Sequence, residues 1–283
     1  MTTMTAASPA PQLPVIAFIG GGNMASAIIG GLLRQGHPAS QIEVVEPWEA
    51  AREALTKNYG LEAQPAAGAG LQRASIVVWA VKPQTFKDAA AQARAHTAGA
   101  LHLSVAAGIR SDSIAQWLGS ERIVRTMPNT PALVGKGMSA LYARPAVDAT
   151  ARAQVEAILA STGEFLWVES EKQLDAVTAL SGSGPAYVFY FLEAMARAGT
   201  GMGLSPAQAH QLAVGTFVGA AELARRSDES PAVLRERVTS KGGTTYAALQ
   251  SMEASGVAAA FETAMRAAER RAQELGDEFG SGA

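Results

Sequence analysis

The chain has 283 residues, 48% hydrophobic and 17% charged, which is enough for two ordinary domains with sizeable cores and too apolar for wholesale disorder. A net charge of −2, with no basic block or arginine-rich stripe, argues against nucleic acid or an anionic membrane as the partner. There is no cysteine, which excludes disulfides, thiolate metal sites and thiol nucleophiles.

His37, His96, His102 and His210 are scattered without metal-ligand spacing, so no metal is expected, although a carboxylate-only site stays open on this count. Residues 1–14, rich in Ala, Thr and Pro, have no positive charge leading into an apolar run and read as a disordered tail, not a signal peptide. No apolar run reaches the roughly eighteen residues a spanning helix needs, so a soluble, cytoplasmic protein is the default.

From 15 to 168, short β-branched runs at 15–19, 42–45, 75–81, 101–105 and 122–127 alternate with helical patterns such as 24–34, 48–58 and 85–94. This alternation predicts βαβ units and a parallel sheet, and the continuous apolar strands predict that both sheet faces are covered. After about Ser170 the strand-like runs stop and the chain reads as helix to Leu275. Ser205-Pro206-Ala207-Gln208 is a capping box with proline at the first helical position, and Ser230-Pro231 starts another helix by the same logic. The helix from Pro206 sets Leu212, Thr216, Gly219, Ala220 and Leu223 on one face, with Gly215 and Gly219 allowing another backbone to approach.

The first strand runs directly into Gly20-Gly21-Gly22-Asn23-Met24-Ala25 and then an apolar helix. That is G-x-G-x-x-A in its required context of strand, tight turn and helix, the dinucleotide-binding arrangement of Rossmann folds. Gly20 permits the turn, Gly22 lets the backbone approach a pyrophosphate, and Ala25 permits close packing of helix on strand. The N–H groups at the helix start, from Asn23 and Met24, then face the phosphates. A glycine-rich turn without a ligand is the bland alternative.

Glu46 ends the second strand, where an acid commonly accepts from a ribose 2′-hydroxyl and repels a 2′-phosphate, favouring NADH over NADPH. Arg52 lies close enough in sequence to restore phosphate binding, and a surface glutamate without a role is the other reading. The fold class is therefore α/β: a Rossmann-type doubly wound parallel sheet over 15–168, an all-helical domain over 169–276, and a short tail at 277–283.

Four further segments narrow the function: Ala80-Val81-Lys82-Pro83-Gln84, Arg125-Thr126-Met127-Pro128-Asn129-Thr130-Pro131, Leu180-Ser181-Gly182-Ser183-Gly184-Pro185-Ala186-Tyr187 and Val238-Thr239-Ser240-Lys241-Gly242-Gly243-Thr244-Thr245. In this order and spacing, with the glycine loop, the chain resembles pyrroline-5-carboxylate reductase from about Val15 to Leu275. One departure is Lys241, where many relatives have proline, which leaves the local loop geometry open.

The resemblance implies hydride transfer from NADPH or NADH to the C=N carbon of 1-pyrroline-5-carboxylate, giving L-proline in the last step of proline biosynthesis. It implies an interlocked homodimer, with a higher assembly of dimers left open. It also implies that Ser240, Gly243, Thr244 and Thr245 grip the substrate carboxylate and that the Thr178 hydroxyl faces the ring nitrogen.

The residues themselves fit this chemistry. A cyclic imine takes its proton from solvent, and the sequence offers no Ser/His/Asp arrangement suited to hydrolysis; what the reaction needs is orientation. Thr244 is expected near the N-cap of a helix whose N–H groups point at an anion, though an ordinary capped turn has the same local pattern. Thr178 bonded back to its own helix is the plain alternative to a catalytic role. Ser181 to Pro185 are assigned mainly to close helix packing.

Ala80, Lys82 and Pro83 follow a strand at the carboxyl edge, where open α/β sheets bind ligands, with Lys82 within reach of cofactor ribose or phosphate, or simply solvated. Asn129 lies between two prolines that stiffen the end of another strand beneath the nicotinamide. It is a candidate cofactor contact, with a structural turn as the alternative.

Among rivals, the β-hydroxyacid and 6-phosphogluconate type dehydrogenases would carry a catalytic lysine on the first long helix of the second domain. The segment 180–197 contains none. An imine reductase of broader range would lack the Gly-Gly-Thr-Thr turn. A non-catalytic NAD(P)-sensing protein would have no reason to retain it.

Overall fold

The computed structural model describes residues 13–280 and divides into two compact units. One runs up to Gly182 and takes in the last helical turns from Glu269; the other is Ser183–Ala268. The tail expected at 1–14 lies outside the described residues except for its last two positions.

The first unit is built on seven strands: β1 (Ile16–Ile19), β2 (Ile42–Val45), β3 (Ile76–Trp79), β4 (Leu101–Ser104), β5 (Ile123–Met127), β6 (Gly137–Ala143) and β7 (Gly163–Trp167). Their order is β2-β1-β3-β4-β5-β6-β7. The intervening helices are α1 (Asn23–Arg34), α2 (Glu49–Tyr59), α3 (Pro83–Ala93), α4 (Ser111–Leu118), α5 (Ala149–Leu159) and α6 (Gln173–Val177).

Strand residues alternate between two cores, as a period of two requires. Ile16 and Phe18 pack into one with Ile28, Ile29 and Val155, whereas Ala17 and Ile19 join Trp79, Phe86 and Ile114 in the other. Burial of each large side chain contributes about 1.5–3 kcal/mol. In the second core the Trp79 indole N–H donates to His102 Nδ1 at 3.2 Å. Burial, reinforced by nearby Arg122, pushes the His102 imidazole down to about 4, so it stays neutral and available as that acceptor.

The sheet is mostly, not wholly, parallel: β5 and β6 pair antiparallel, with Thr126 opposite Leu141, and β7 then runs parallel to β6. Neither β6 nor β7 was among the expected strands. β6 reads Gly-Met-Ser-Ala-Leu-Tyr-Ala, whose small residues give little β signal, and β7 at the sheet edge alternates half-buried with exposed positions.

The tail expected at 277–283 also needs correction, because helix α11 (Val257–Gly280) continues through it as far as Gly280. Phe279 packs onto the second core, and a Cβ at Gly108 would lie 3.0 Å from Leu275 Cβ, so this end of the helix is seated and not frayed.

The second unit holds α7 (Gly184–Gly201), α8 (Pro206–Arg226), α9 (Pro231–Arg237), α10 (Thr244–Ala254) and the first turns of α11. The capping box is present, with Gln208 N donating to Ser205 Oγ and Gln208 Oε1 accepting from Ser205 N, and Ser230 caps α9. Phe261 makes edge contacts with Tyr187 and Phe191. On α8 the buried positions are Ala209 and Ala213, while Leu212 and Leu223 are 58% and 68% exposed. The face expected to receive another backbone is thus open. No helix among the described residues is long and apolar enough to cross a membrane.

Candidate active site

The strand order reverses beside β1, so the carboxyl ends of β1 and β3 flank the crevice where open α/β sheets bind ligands. Gly20 follows β1 with φ of +97°, and a Cβ there would lie 2.6 Å from the Ala80 carbonyl oxygen, so only glycine fits both the backbone and the close approach of the β3 loop. Gly22 occupies the N-cap of α1 without any side-chain cap, and nothing lies within 4 Å of where its Cβ would be. Asn23 and Met24 begin the helix, and Ala25 is buried against the sheet. An uncapped helix start beneath open space fits the pyrophosphate of a dinucleotide.

Glu46 is buried at the end of β2, and both its oxygens are engaged: Oε2 accepts from Gly21 N at 2.7 Å and Oε1 from Trp48 N at 2.9 Å. The carboxylate therefore braces the glycine loop. Arg52 folds over the same turn, its Nη1 donating to the carbonyls of Glu46 and Pro47 at 3.1 and 2.7 Å. Across the crevice Ala80 is half-buried, the exposed Lys82 is the N-cap of α3, and Pro83 takes its first position.

The end of β5 meets the segment after α6. Thr178–Gly182 form a π-helical turn, and the Thr178 hydroxyl donates to Leu174 O at 2.7 Å, the back-bond that was the plainer of its two expected roles. This uses the hydroxyl proton and leaves its lone pairs available. Asn129 bridges two elements: its Oδ1 accepts from Met138 N, and its Nδ2 donates to the carbonyl and hydroxyl oxygens of Ser181.

Ahead of α6 lies a cluster that the sequence reading did not single out. Arg125, buried on β5, donates to Glu171 Oε1 at 2.6 Å, and Glu171 also accepts from Ser111 N and Ser111 Oγ. Arg110 pairs with the buried Asp175 of α6 at 2.9 Å. Burial pulls the Arg125 guanidinium below its usual range, and Glu171 opposes that shift. The available signal was an arginine in the middle of the apolar run Ile-Val-Arg-Thr-Met, which has to find an anion if both sheet faces are covered.

In the second unit Ser240 and Gly243 lie in the turn between α9 and α10, and Thr244 and Thr245 open α10. Gly242 has φ of +73°, and Gly243 N donates to Ser240 O at 3.0 Å. The N-cap of α10 is Gly243, Thr244 lies next to it at the first helical position as expected, and no side chain caps the helix. A Cβ at Gly243 would lie 2.6 Å from Ser240 Oγ, so that hydroxyl sits over the glycine, while Thr244 and Thr245 are exposed. An uncapped helix start with hydroxyls beside it suits a carboxylate. Among the described residues no group of His, Asp or Glu could hold a metal ion.

Comparison with known proteins places these features in a family. Residues 171–275 match the model for pyrroline-5-carboxylate reductase dimerisation, and residues 15–108 match that for NADP oxidoreductase, coenzyme F420-dependent. The chain is 45% identical over 269 residues to a pyrroline-5-carboxylate reductase of Pseudomonas aeruginosa, covering 94% of this chain and 98% of that protein. A solved pyrroline-5-carboxylate reductase from Coxiella burnetii superimposes with a TM-score of 0.86 at 37% identity, covering 93% of this chain and 98% of the other. A Plasmodium falciparum pyrroline carboxylate reductase solved with NADP bound superimposes with a TM-score of 0.83 at 29% identity, over 93% and 98% of the two chains.

Proposed function

The chain belongs to the pyrroline-5-carboxylate reductase family, and on that premise we propose how its residues divide the work. It is an oxidoreductase that reduces the C=N bond of 1-pyrroline-5-carboxylate to L-proline with NAD(P)H, in proline biosynthesis. Gly20, Gly22 and the start of α1 at Asn23, Met24 and Ala25 would hold the dinucleotide, with Glu46 on one side and Ala80, Lys82 and Pro83 on the other. When bound, its reduced nicotinamide supplies the hydride.

Thr178, whose proton goes to Leu174 O, accepts from the ring N–H of the protonated imine and so orients the C=N carbon. Ser240, Gly243, Thr244 and Thr245 hold the substrate carboxylate at the start of α10. The observation that carries this assignment is the uncapped α10 start with Ser240 Oγ over Gly243, an anion site that dinucleotide binding alone does not require. The ring nitrogen takes its proton from water, so no side-chain acid is needed.

Racemic pyrroline-5-carboxylate with NADH or NADPH, followed at the cofactor absorbance, tests the reaction, and Thr245→Val tests the clamp. Loss of one hydrogen bond to a charged group is worth about 1.5–3 kcal/mol, so KM for the imino acid should rise roughly ten- to a hundredfold with little change in cofactor binding. An unaltered KM removes Thr245 from the clamp.

The cofactor preference follows from Glu46, whose charge opposes a 2′-phosphate. Glu46→Ser is expected to raise the ratio of NADPH to NADH kcat/KM by about tenfold. Because Glu46 also braces Gly21 and Trp48, the same change should lower NADH affinity. Wild-type protein strongly selective for NADPH would overturn the assignment and point to Arg52.

The match to the dimerisation model suggests a homodimer. The reading extends to a dimer that completes the active site, to higher assemblies of such dimers, and to a cytoplasmic location.

A further inference from the structure

Two motifs that the sequence assigns to different tasks, the proline-flanked end of β5 and the turn Thr178–Gly182, meet in one joint of the first unit. The amide of Asn129 is oriented without ambiguity, because the backbone N–H of Met138 requires its oxygen at 2.9 Å. The NH2 group must then face the π-helical turn, where it reaches Ser181 O and Ser181 Oγ, each at 3.2 Å. Both Nδ2 contacts are to Ser181, so the NH2 group is turned to the π-helical turn.

The other side of the joint is equally close. A Cβ at Gly182 would lie 2.5 Å from Met127 Cε, so the turn is seated directly on the last residue of β5. A π-helical turn interrupts the regular ladder of helix bonds, so a side-chain partner from outside the helix adds to its definition. Asn129 is such a partner, held in place itself by β6 and by the prolines on either side of Asn129-Thr130.

We infer that Asn129 is a positioning residue for the reaction. Its amide locks the turn Thr178–Gly182 onto the end of β5 and so fixes the Thr178 hydroxyl where it accepts from the ring N–H. This rests on the reading of Thr178 given above. Asn129 touches neither substrate nor cofactor in this role, which differs from the cofactor contact the sequence suggested.

The test is Asn129→Asp, which keeps an oxygen for Met138 N but sets a second oxygen against the Ser181 carbonyl. Expected is a fall in kcat on the order of ten- to a hundredfold, as for a small displacement of an orienting group. The dissociation constant of NADPH, read by fluorescence titration without substrate, should change by less than about twofold. Ser181→Ala should cost less alone and add nothing to Asn129→Asp.

Gly182→Ala disturbs the joint from the Met127 side and should give the same split between kcat and cofactor affinity, which keeps the inference testable if Asn129→Asp folds poorly. Unchanged kcat in the Asn129 and Gly182 variants overturns the inference, as does a large loss of NADPH affinity in Asn129→Asp, which would mark a direct cofactor contact. Thr178→Val reports separately: if it is silent, the reading of Thr178 fails, and the route from Asn129 through it fails with it, whatever Asn129→Asp does.

Discussion

Replacing Gly219 by arginine on the outer face of α8 is expected to dissociate the protein and to lower kcat/KM by at least about a hundredfold. Within the chain this position is empty: nothing lies within 4 Å of a Cβ at Gly215 or at Gly219, so the substitution leaves the fold of one subunit undisturbed. On the same helical unit several large apolar side chains are exposed, Leu212, Val218 and Leu223 on α8 and Phe189 and Tyr190 on α7. So many large apolar side chains on one helical unit mark a surface that another protein covers. The match over 171–275 suggests that the cover is a second copy. An arginine in a close-packed glycine contact adds a long charged chain where a backbone should sit, with a charge that has no anion waiting for it. Sedimentation velocity at micromolar and nanomolar concentrations, run beside the pyrroline-5-carboxylate assay, gives the answer. A Gly219→Arg protein that sediments as a dimer, or a monomer with full activity, would defeat the expectation.

The parts of the site that were legible in the sequence are those whose physics is local. The strand, the glycine turn and the helix start at Gly20–Ala25 are consecutive, and each constrains the next through backbone geometry. The capping box at Ser205 and the cap at Ser230 were readable for the same reason. Thr244 was readable as lying near a helix start, but the sequence did not show that the cap itself is a glycine in extended conformation, which leaves the helix end without a side-chain cap.

What could not be read was pairing across the fold. β6 has a weak local pattern and is defined by its antiparallel partner β5. The bond from Asn129 to Ser181 links residues 52 apart, and neither motif hints at the other. The ion pairs ahead of α6 are an intermediate case, since the sequence shows that Arg125 needs an anion but not that the anion is Glu171.

That buried pair supplies the largest expected effect on stability. Glu171→Ala should destabilise the protein by about 3–5 kcal/mol, the range found when one partner is removed from a buried ion pair. Three groups lose their acceptor together: Arg125 Nη1, Ser111 N and Ser111 Oγ. The Arg125 side chain, 6% exposed, cannot recover water in their place. Arg110 and Asp175 cannot compensate, because they are bonded to each other through both Asp175 oxygens. For a chain of this size the loss corresponds to a fall in Tm of roughly 10 °C by calorimetry. The cost should come from the stranded charge and not from the missing attraction, and Arg125→Met distinguishes the two. Added to Glu171→Ala it should restore part of the lost stability, since an apolar side chain at 125 no longer needs an anion. The effect should also reach the chemistry, because Glu171 and Asp175 anchor the front of α6 while Asn129 holds the turn behind it, with Thr178 between them. A Glu171→Ala protein within about 1 kcal/mol of wild type would show that water or a neighbouring acid reaches Arg125, and the anchoring role would fall with it.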